Sequence, residues 1–412
     1  WRGLGDPQLG RLVDAALAGN PSLAQVQTRV ARAQAAADAA GAARLPSADA
    51  TVVANRGQLP PPYGSGANNI AVMQLGLSWE LDLFGKHRAA LDAAIGTAAA
   101  ARADAAAARS ALAAAVARAY IDFARLSAQL QLAQRLLAVR TTYAALLAQR
   151  AAAGVDAATD AAAAAAERDA TAAQLAALRE QQQLARTALA ALTGDLAVAP
   201  ALTEPTLAQL QLPALPAVLP SDLLGRRADV VAARWRVEAA AGDVDVARAQ
   251  FLPSVNLMAI AGYFSFGFDQ LLAADKQFWA LGPAVSLPLF TGGRLSANLA
   301  DKNAALDGAI HAYNAAVIDA LHDAGDQILS LAALAAQRDA QQQAVSGAQQ
   351  ALLLTQAKFD AGVANRMQLL GAEAALLAQQ RAAIDLQART AATQIALIKA
   401  LGGGYAAETS TH

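Results

Sequence analysis

The chain has no cysteine, so disulfides, thiol catalysis and thiolate metal ligation are all excluded. It has no excess of positive charge: the net charge is −1 over 412 residues, and only 16% are charged, which disfavours a polyanion-binding surface. Aromatics are few, at 5%. No P-loop, no glycine-rich dinucleotide turn after a strand and no metal-spaced set of His, Asp and Glu stands in the chain, and its four histidines (His87, His311, His322, His412) are scattered. These absences argue against catalysis and against a bound energy source. A last absence conflicts with the composition. Hydrophobic residues make up 56% of the chain and its mean hydropathy is +0.28. Yet Arg, Asp and Gln interrupt every Ala/Leu run before it reaches the length of a membrane helix.

Alanine supplies most of the hydrophobic count, and it is the best helix former. Lys86 to Ala153 holds no proline and one glycine, Gly96, and its larger apolar residues (Leu112, Val116, Tyr120, Phe123, Leu130, Leu137) recur at helical spacing. At 1.5 Å per residue this predicts a helix about 100 Å long. Arg294 to Ala361 repeats the pattern without proline. Each run follows an aromatic-Gly corner (Phe84-Gly85; Phe290-Thr291-Gly292-Gly293) and ends at Gly-Val (Gly154-Val155; Gly362-Val363). Arg44-Leu45-Pro46-Ser47 and Phe251-Leu252-Pro253-Ser254 recur at an offset of 207, and the tip glycines at 208. The chain is read as an internal duplication.

The first repeat, 1–194, is expected to hold short helices opened by Asp6-Pro7 and Asn20-Pro21, strands at 48–57 and 70–83, the long helix 86–153 and a helix 157–192. The second, 222–403, holds a helix 229–250, strands 255–266 and 277–289, the long helix 294–361 and a helix 365–401. A proline-rich connector, 195–221, separates them, and 404–412 is a tail. Along 70–83, Ala71, Met73, Leu75, Leu77, Trp79, Leu81 and Leu83 alternate with a mostly polar set that includes Glu80 and Asp82. That alternation, in an unusually long strand, suits a membrane β-barrel with a wet interior better than a sheet over a core. Four strands cannot close a barrel, whereas three copies would supply twelve. The two shorter helices of each repeat, stacked end to end, match the long one, giving four helical columns per chain and twelve per trimer. The fold class expected is an α+β membrane protein: an internally duplicated chain forming a trimeric 12-stranded β-barrel continuous with a long 12-helix-column α-barrel, with a mixed equatorial region. A soluble alanine-rich coiled coil is the alternative, and it leaves the alternating strands without a purpose.

Four motifs together resemble the outer membrane factors of tripartite efflux pumps, the TolC-like and OprM-like proteins, especially the NodT-type efflux lipoproteins. They are Leu75-Gly76-Leu77-Ser78-Trp79-Glu80-Leu81-Asp82-Leu83-Phe84-Gly85-Lys86, Leu223-Leu224-Gly225-Arg226-Arg227-Ala228-Asp229-Val230, Phe251-Leu252-Pro253-Ser254, and Val285-Ser286-Leu287-Pro288-Leu289-Phe290-Thr291-Gly292-Gly293-Arg294. One departure is Ala228, where the family usually has proline. The resemblance implies a passive homotrimeric duct in the Gram-negative outer membrane, extending into the periplasm. A periplasmic adaptor and an inner-membrane pump (of the RND, MFS or a related class) would deliver small molecules to it. A duct for type I protein secretion would use the same pipe. No cofactor is implied beyond a lipid anchor on a Cys preceding this chain.

Roles at the hairpin tips and corners are read from the residues alongside the resemblance. The hairpin tips would gate the duct, with Asp156 or Asp160 pairing Arg366 across neighbouring hairpins; Asp160 matches an acidic gating position of the first tip. Two acidic positions of some relatives' second tip fall on Gln368 and Gly371, which argues against a doubled aspartate ring. Gly154, Val155, Gly362 and Val363 would form the turns on which the adaptor docks. Pro46, Phe84, Gly85, Pro253, Pro288, Gly292 and Gly293 would form structural corners.

Overall fold

The structure, a computed structural model, describes residues 5–58, 67–207, 226–267 and 271–403. It contains helices α1 (Pro7–Gly19), α2 (Pro21–Ala42), α3 (Lys86–Ala152), α4 (Ala158–Thr193), α5 (Ala228–Ala249), α6 (Arg294–Asp360) and α7 (Arg366–Ala400). Four strands, β1 (Ser47–Gln58), β2 (Ala67–Leu81), β3 (Ser254–Phe266) and β4 (Gln277–Ser286), form one antiparallel sheet in the order β1-β2-β3-β4. The succession α2-β1-β2-α3-α4 recurs as α5-β3-β4-α6-α7, with α3 and α6 both 67 residues long. No described helix is long and apolar enough to cross a membrane.

Local chemistry sets the boundaries. The Asp6 carboxylate accepts from the amides of Gln8 (2.8 Å) and Leu9 (3.3 Å), with Pro7 in the first turn of α1, where a missing N–H costs nothing. Asn20 opens α2 in the same way, accepting from Ser22 and Leu23. Asp82 accepts from the amides of His87 (3.0 Å) and Arg88 (2.7 Å) and so opens α3. That cap corrects the expected strand 70–83. The strand runs from Ala67 to Leu81, because Asp82 is committed to the helix start and Gly85 turns at φ +75°. The strand expected at 277–289 likewise ends at Ser286: the last ladder pair is Ser254 with Ser286, beyond which Pro253 and Pro288 have no N–H to offer. Leu289 and Phe290 therefore lie outside the strand, about nine-tenths exposed. Helix ends move by one residue from expectation. Of the connector, Leu196–Ala201 forms a 3-10 turn and Leu202 and Leu207 are buried, while 208–221 and Leu223-Leu224-Gly225 lie outside the described residues, as do 404–412.

The chain divides into two compact units. The first holds α1, α4, α7 and the distal stretches of α3 and α6. Its core is built around Tyr120 and Phe123 of α3, with Leu9 and Leu12 of α1, Leu189 of α4 and Ile395 of α7. The Tyr120 hydroxyl donates to Asp6 at 2.6 Å, tying the α1 cap to the middle of α3, and burial together with that carboxylate pushes the phenol well above its usual range. Asn20 Nδ2 donates to the Leu192 carbonyl (2.9 Å), so the start of α2 abuts the end of α4. At the corresponding place Arg227 donates to the carbonyl of Ala400, the last residue of α7, at 3.4 Å.

The second unit holds the sheet with most of α2 and α5 and the first turns of α3 and α6. Its helices approach closely through small residues. A Cβ on Gly96 would sit 3.1–3.2 Å from the backbone and Cβ of Ala239, and one on Gly242 would sit 3.0 Å from Ala93. Ion pairs flank these contacts: Asp104 with Arg236, and Lys302 with Asp243.

Candidate functional site

The sheet register sorts its side chains. Directly paired residues share a face. Leu75 lies opposite Ala50 and Ala261, Leu77 opposite Ala48 and Ala259, and Trp79 opposite Leu257. Ala261 is in turn opposite Trp279, Ala259 opposite Leu281, and Val255 opposite Val285. Every residue in these rows is apolar. The other face carries Asp49, Thr51, Gln74, Ser78, Glu80 and Asn256 among Ile260, Phe264 and Phe266. Ser78 and Asn256 hydrogen-bond across it, and Glu80 pairs with Lys86 and His87 at the root of α3. On the apolar face Trp279 is 80% exposed and Leu281 76%, and β1 and β4 each keep one edge without a strand partner among the described residues. In water such a surface would be an aggregation hazard on both counts.

The two hairpin tips are built on one template. After α3, Gly154 takes φ +71° and the Val155 amide donates back to the Arg150 carbonyl at 2.9 Å. After α6, Gly362 takes φ +73° and the Val363 amide donates to the Lys358 carbonyl at 2.8 Å. In each the left-handed glycine lets the chain satisfy the helix's last carbonyls while reversing direction. Val155 and Val363 both project exposed apolar side chains.

Their polar residues differ. Arg150 grips Asp156 side-on, Nε to Oδ2 at 2.5 Å and Nη2 to Oδ1 at 3.0 Å, and this hydrogen bonding holds the Asp156 carboxyl below its usual range. At the second tip the Asn365 side chain accepts from the Gln368 amide (2.9 Å) while the Gln368 side chain accepts from the Asn365 amide (3.0 Å), a reciprocal capping box. Arg366 lies over the Phe359 ring at 5.8 Å. Within one chain, then, neither Asp156 nor Asp160 meets Arg366. Asp160 is exposed in the first turn of α4, where the helix dipole favours its charge. The gate and docking candidates are thus gathered at the tips, and Gln368 has a structural task there. Arg150 went unnoticed in sequence, although a basic residue in the last turn of α3, six positions before Asp156, was a readable signal.

A buried cation also went unassigned. Arg227, 8% exposed, donates to both oxygens of Asp229 (3.1 and 2.7 Å), to Asp323 of α6 (3.2 Å), and to the carbonyls of Ala320 (3.5 Å) and Ala400 (3.4 Å). Arg227 of the second motif is therefore a buried joint between α5, α6 and α7. Among the described residues no group of His, Asp and Glu is placed to hold a metal ion.

Comparison with known proteins gives this arrangement a context. The chain is 39% identical over 317 residues to the fusaric acid resistance protein FusA of Burkholderia cepacia, covering 74% of this chain and 59% of that protein. It is 32% identical over 422 residues to the multidrug resistance outer membrane protein MdtP of Escherichia coli K12, covering 99% of this chain and 86% of that one. Its fold matches the crystal structure of the outer membrane protein VceC from Vibrio cholerae with a TM-score of 0.89 at 38% identity, over 98% of each chain. It also matches the outer-membrane channel OprN with a TM-score of 0.85 at 27% identity. The outer membrane efflux protein model matches twice, over residues 12–195 and 219–403, once for each run of the repeated elements, and the chain belongs to the outer membrane efflux protein family.

Proposed function

We propose that three copies of this chain form the outer-membrane duct of a tripartite efflux pump, a passive conduit for small toxic organic molecules. The observation that carries the reading is the sheet: four strands, one face apolar along its central rows with polar residues (Arg56, Gln58, Asn69, Gln277) only towards the loop end, one polar-lined face and two open edges. In a bilayer all three features are resolved together when β4 of one copy pairs with β1 of the next, closing twelve strands with the apolar face on lipid. A multidrug resistance protein and a toluene efflux outer membrane protein among the relatives favour small-molecule cargo over secreted protein. A periplasmic adaptor and an inner-membrane transporter supply substrate and energy, since a conduit of this kind has no means of coupling either.

The tips are the gate and the docking surface. Arg150 already occupies Asp156, so Asp160 is the acid available to Arg366 of a neighbouring hairpin. The exposed Val155 and Val363, on their glycine turns, offer the adaptor two matched apolar contacts per chain. Single-channel recording in planar bilayers tests the reading. Wild type should give a small, steady conductance, and Arg366→Ala and Asp160→Asn should each raise it. Conductance unchanged in both variants refutes the gate; failure of the purified protein to insert refutes the duct.

A further inference from the structure

The repeated elements make the chain its own template for the surface between copies. Residues of α2 correspond to those of α5 at an offset of 207, and residues of α3 to those of α6 at 208. Inside the second unit α3 packs on α5 through Ala93 and Gly96 against Gly242 and Ala239. The corresponding pair, α6 and α2, supplies the outer helices of that unit: α2 packs on α3 through Gly41 and Leu91, and α6 on α5 through Lys302 and Asp243. Among the described residues their remaining flanks have no helix partner, and a seam like that of α3 on α5 is what an α6 from one copy and an α2 from the next would make.

The residues at this second seam are not copies of the first. Where α3 has Ala93 and Gly96, α6 has Asp301 and Ala304; where α5 has Ala239 and Gly242, α2 has Arg32 and Ala35. A contact made by two glycines and two alanines within the chain thus becomes one carrying an acid on one helix and a base on the other. The charges are complementary along the helices as well. The exposed charges of α2 without an ion-pair partner among the described residues are Arg29 and Arg32 beside the seam position and Asp38 further along, and those on α6 include Asp301 and Asp307. Nearby Lys302 is engaged by Asp243, and Asp38 by Gln34.

We propose that a second copy of this chain seats its α6 on α2, placing Asp301 beside Arg32 as the ion pair that replaces the glycine contact at the seam between copies. Arg32 stands opposite Ala304, one helical turn from Asp301, a span that its long side chain covers. The substitution has a purpose. A seam within a chain is fixed by connectivity and needs only close packing, whereas a seam between chains must also select its partner and register, which opposed charges do. The inference rests on the copies assembling as proposed above.

The cysteine-free chain permits a direct test. By correspondence with Gly242 and Ala93, Ala35→Cys and Asp301→Cys should bring two Cβ atoms to disulfide distance across copies, about 3.5–4.5 Å. Oxidation of the double variant in membranes should convert the monomer band on a non-reducing gel to a covalent trimer, with neither single variant doing so. In parallel, Arg32→Glu and Asp301→Arg should each lower the temperature at which the detergent-solubilised trimer dissociates, and together should restore it. Native mass spectrometry separates the modes of failure. A trimer that forms but neither cross-links nor shows charge rescue overturns the seam alone. Chains that never associate overturn the seam and the proposed assembly with it.

Discussion

Arg227→Met removes a cation while keeping an unbranched chain that covers the aliphatic stem of the arginine, so it tests charge and hydrogen bonding with most of the stem packing retained. Arg227 donates to two carboxylates and two carbonyls from a site only 8% exposed. A hydrogen bond to a charged group contributes about 1.5–3 kcal/mol, and stripping a buried ion pair of one partner costs about 3–5 kcal/mol. Both figures need reducing, because the side chains of Asp229 and Asp323 are 50% and 57% exposed and rehydrate once released. The expected loss is about 2–3 kcal/mol. Arg227→Lys should recover part of it, since a single ammonium cannot satisfy Asp229 bidentately while reaching Asp323. The pH dependence follows from Asp229. Burial raises its carboxyl pKa, but the Arg227 bond and charge outweigh burial and hold it below the usual range. A depressed carboxylate contributes stability above the unfolded value, about pH 4, and that contribution fades as pH falls through the folded value. The assay is thermal unfolding in detergent at neutral and acidic pH, followed by circular dichroism. Wild type and Arg227→Met should be well separated at pH 7 and converge under acid. Equal midpoints at pH 7 would refute the assignment of Arg227 as the joint of α5, α6 and α7.

Three further predictions concern the tips. Gly362→Ala should cost roughly 1–2 kcal/mol, all of it backbone strain, because a Cβ there meets nothing within 4 Å; chemical denaturation of the detergent-solubilised protein would detect it. Asn365→Ala removes the capping box and should cost about 1 kcal/mol, seen as faster hydrogen exchange confined to the first turn of α7. Arg150→Ala should lower the protection of the Val155 and Asp156 amides, measured against their intrinsic exchange rates, at neutral pH, and acidification through the lowered Asp156 pKa should lower the same protection factors in wild type; protection insensitive to both would remove the clip.

How far the chain could be read in advance differs by feature, for physical reasons. The alternation of β2 and the unbroken runs of α3 and α6 were legible because period and the absence of proline act locally. The strand ends were not, since they depend on how Asp82 and Pro288 are used rather than on pattern. The tip glycines could be placed from Gly-Val following a long helix. The partners around them could not: Asp156 is bound by Arg150 of its own hairpin, and Gln368 caps its own helix, two competitions that spacing from a glycine cannot settle. Helix contacts were the least legible. With alanine on most faces, nothing local distinguishes Ala93, which packs against Gly242, from alanines that face solvent, and the pairing emerges only from coordinates.

The central claim is that the apolar face of the four-stranded sheet lies in lipid, and three of the four tryptophans of the chain make it measurable. Trp79 and Trp279 stand on that face, and Trp235 on α5 away from it. Single-tryptophan variants reconstituted with lipids brominated along their acyl chains should show strong quenching at Trp279, intermediate quenching at Trp79, whose indole donates to the Arg44 carbonyl three residues before β1, and none at Trp235. Trp279 quenched no more than Trp235 would contradict the account.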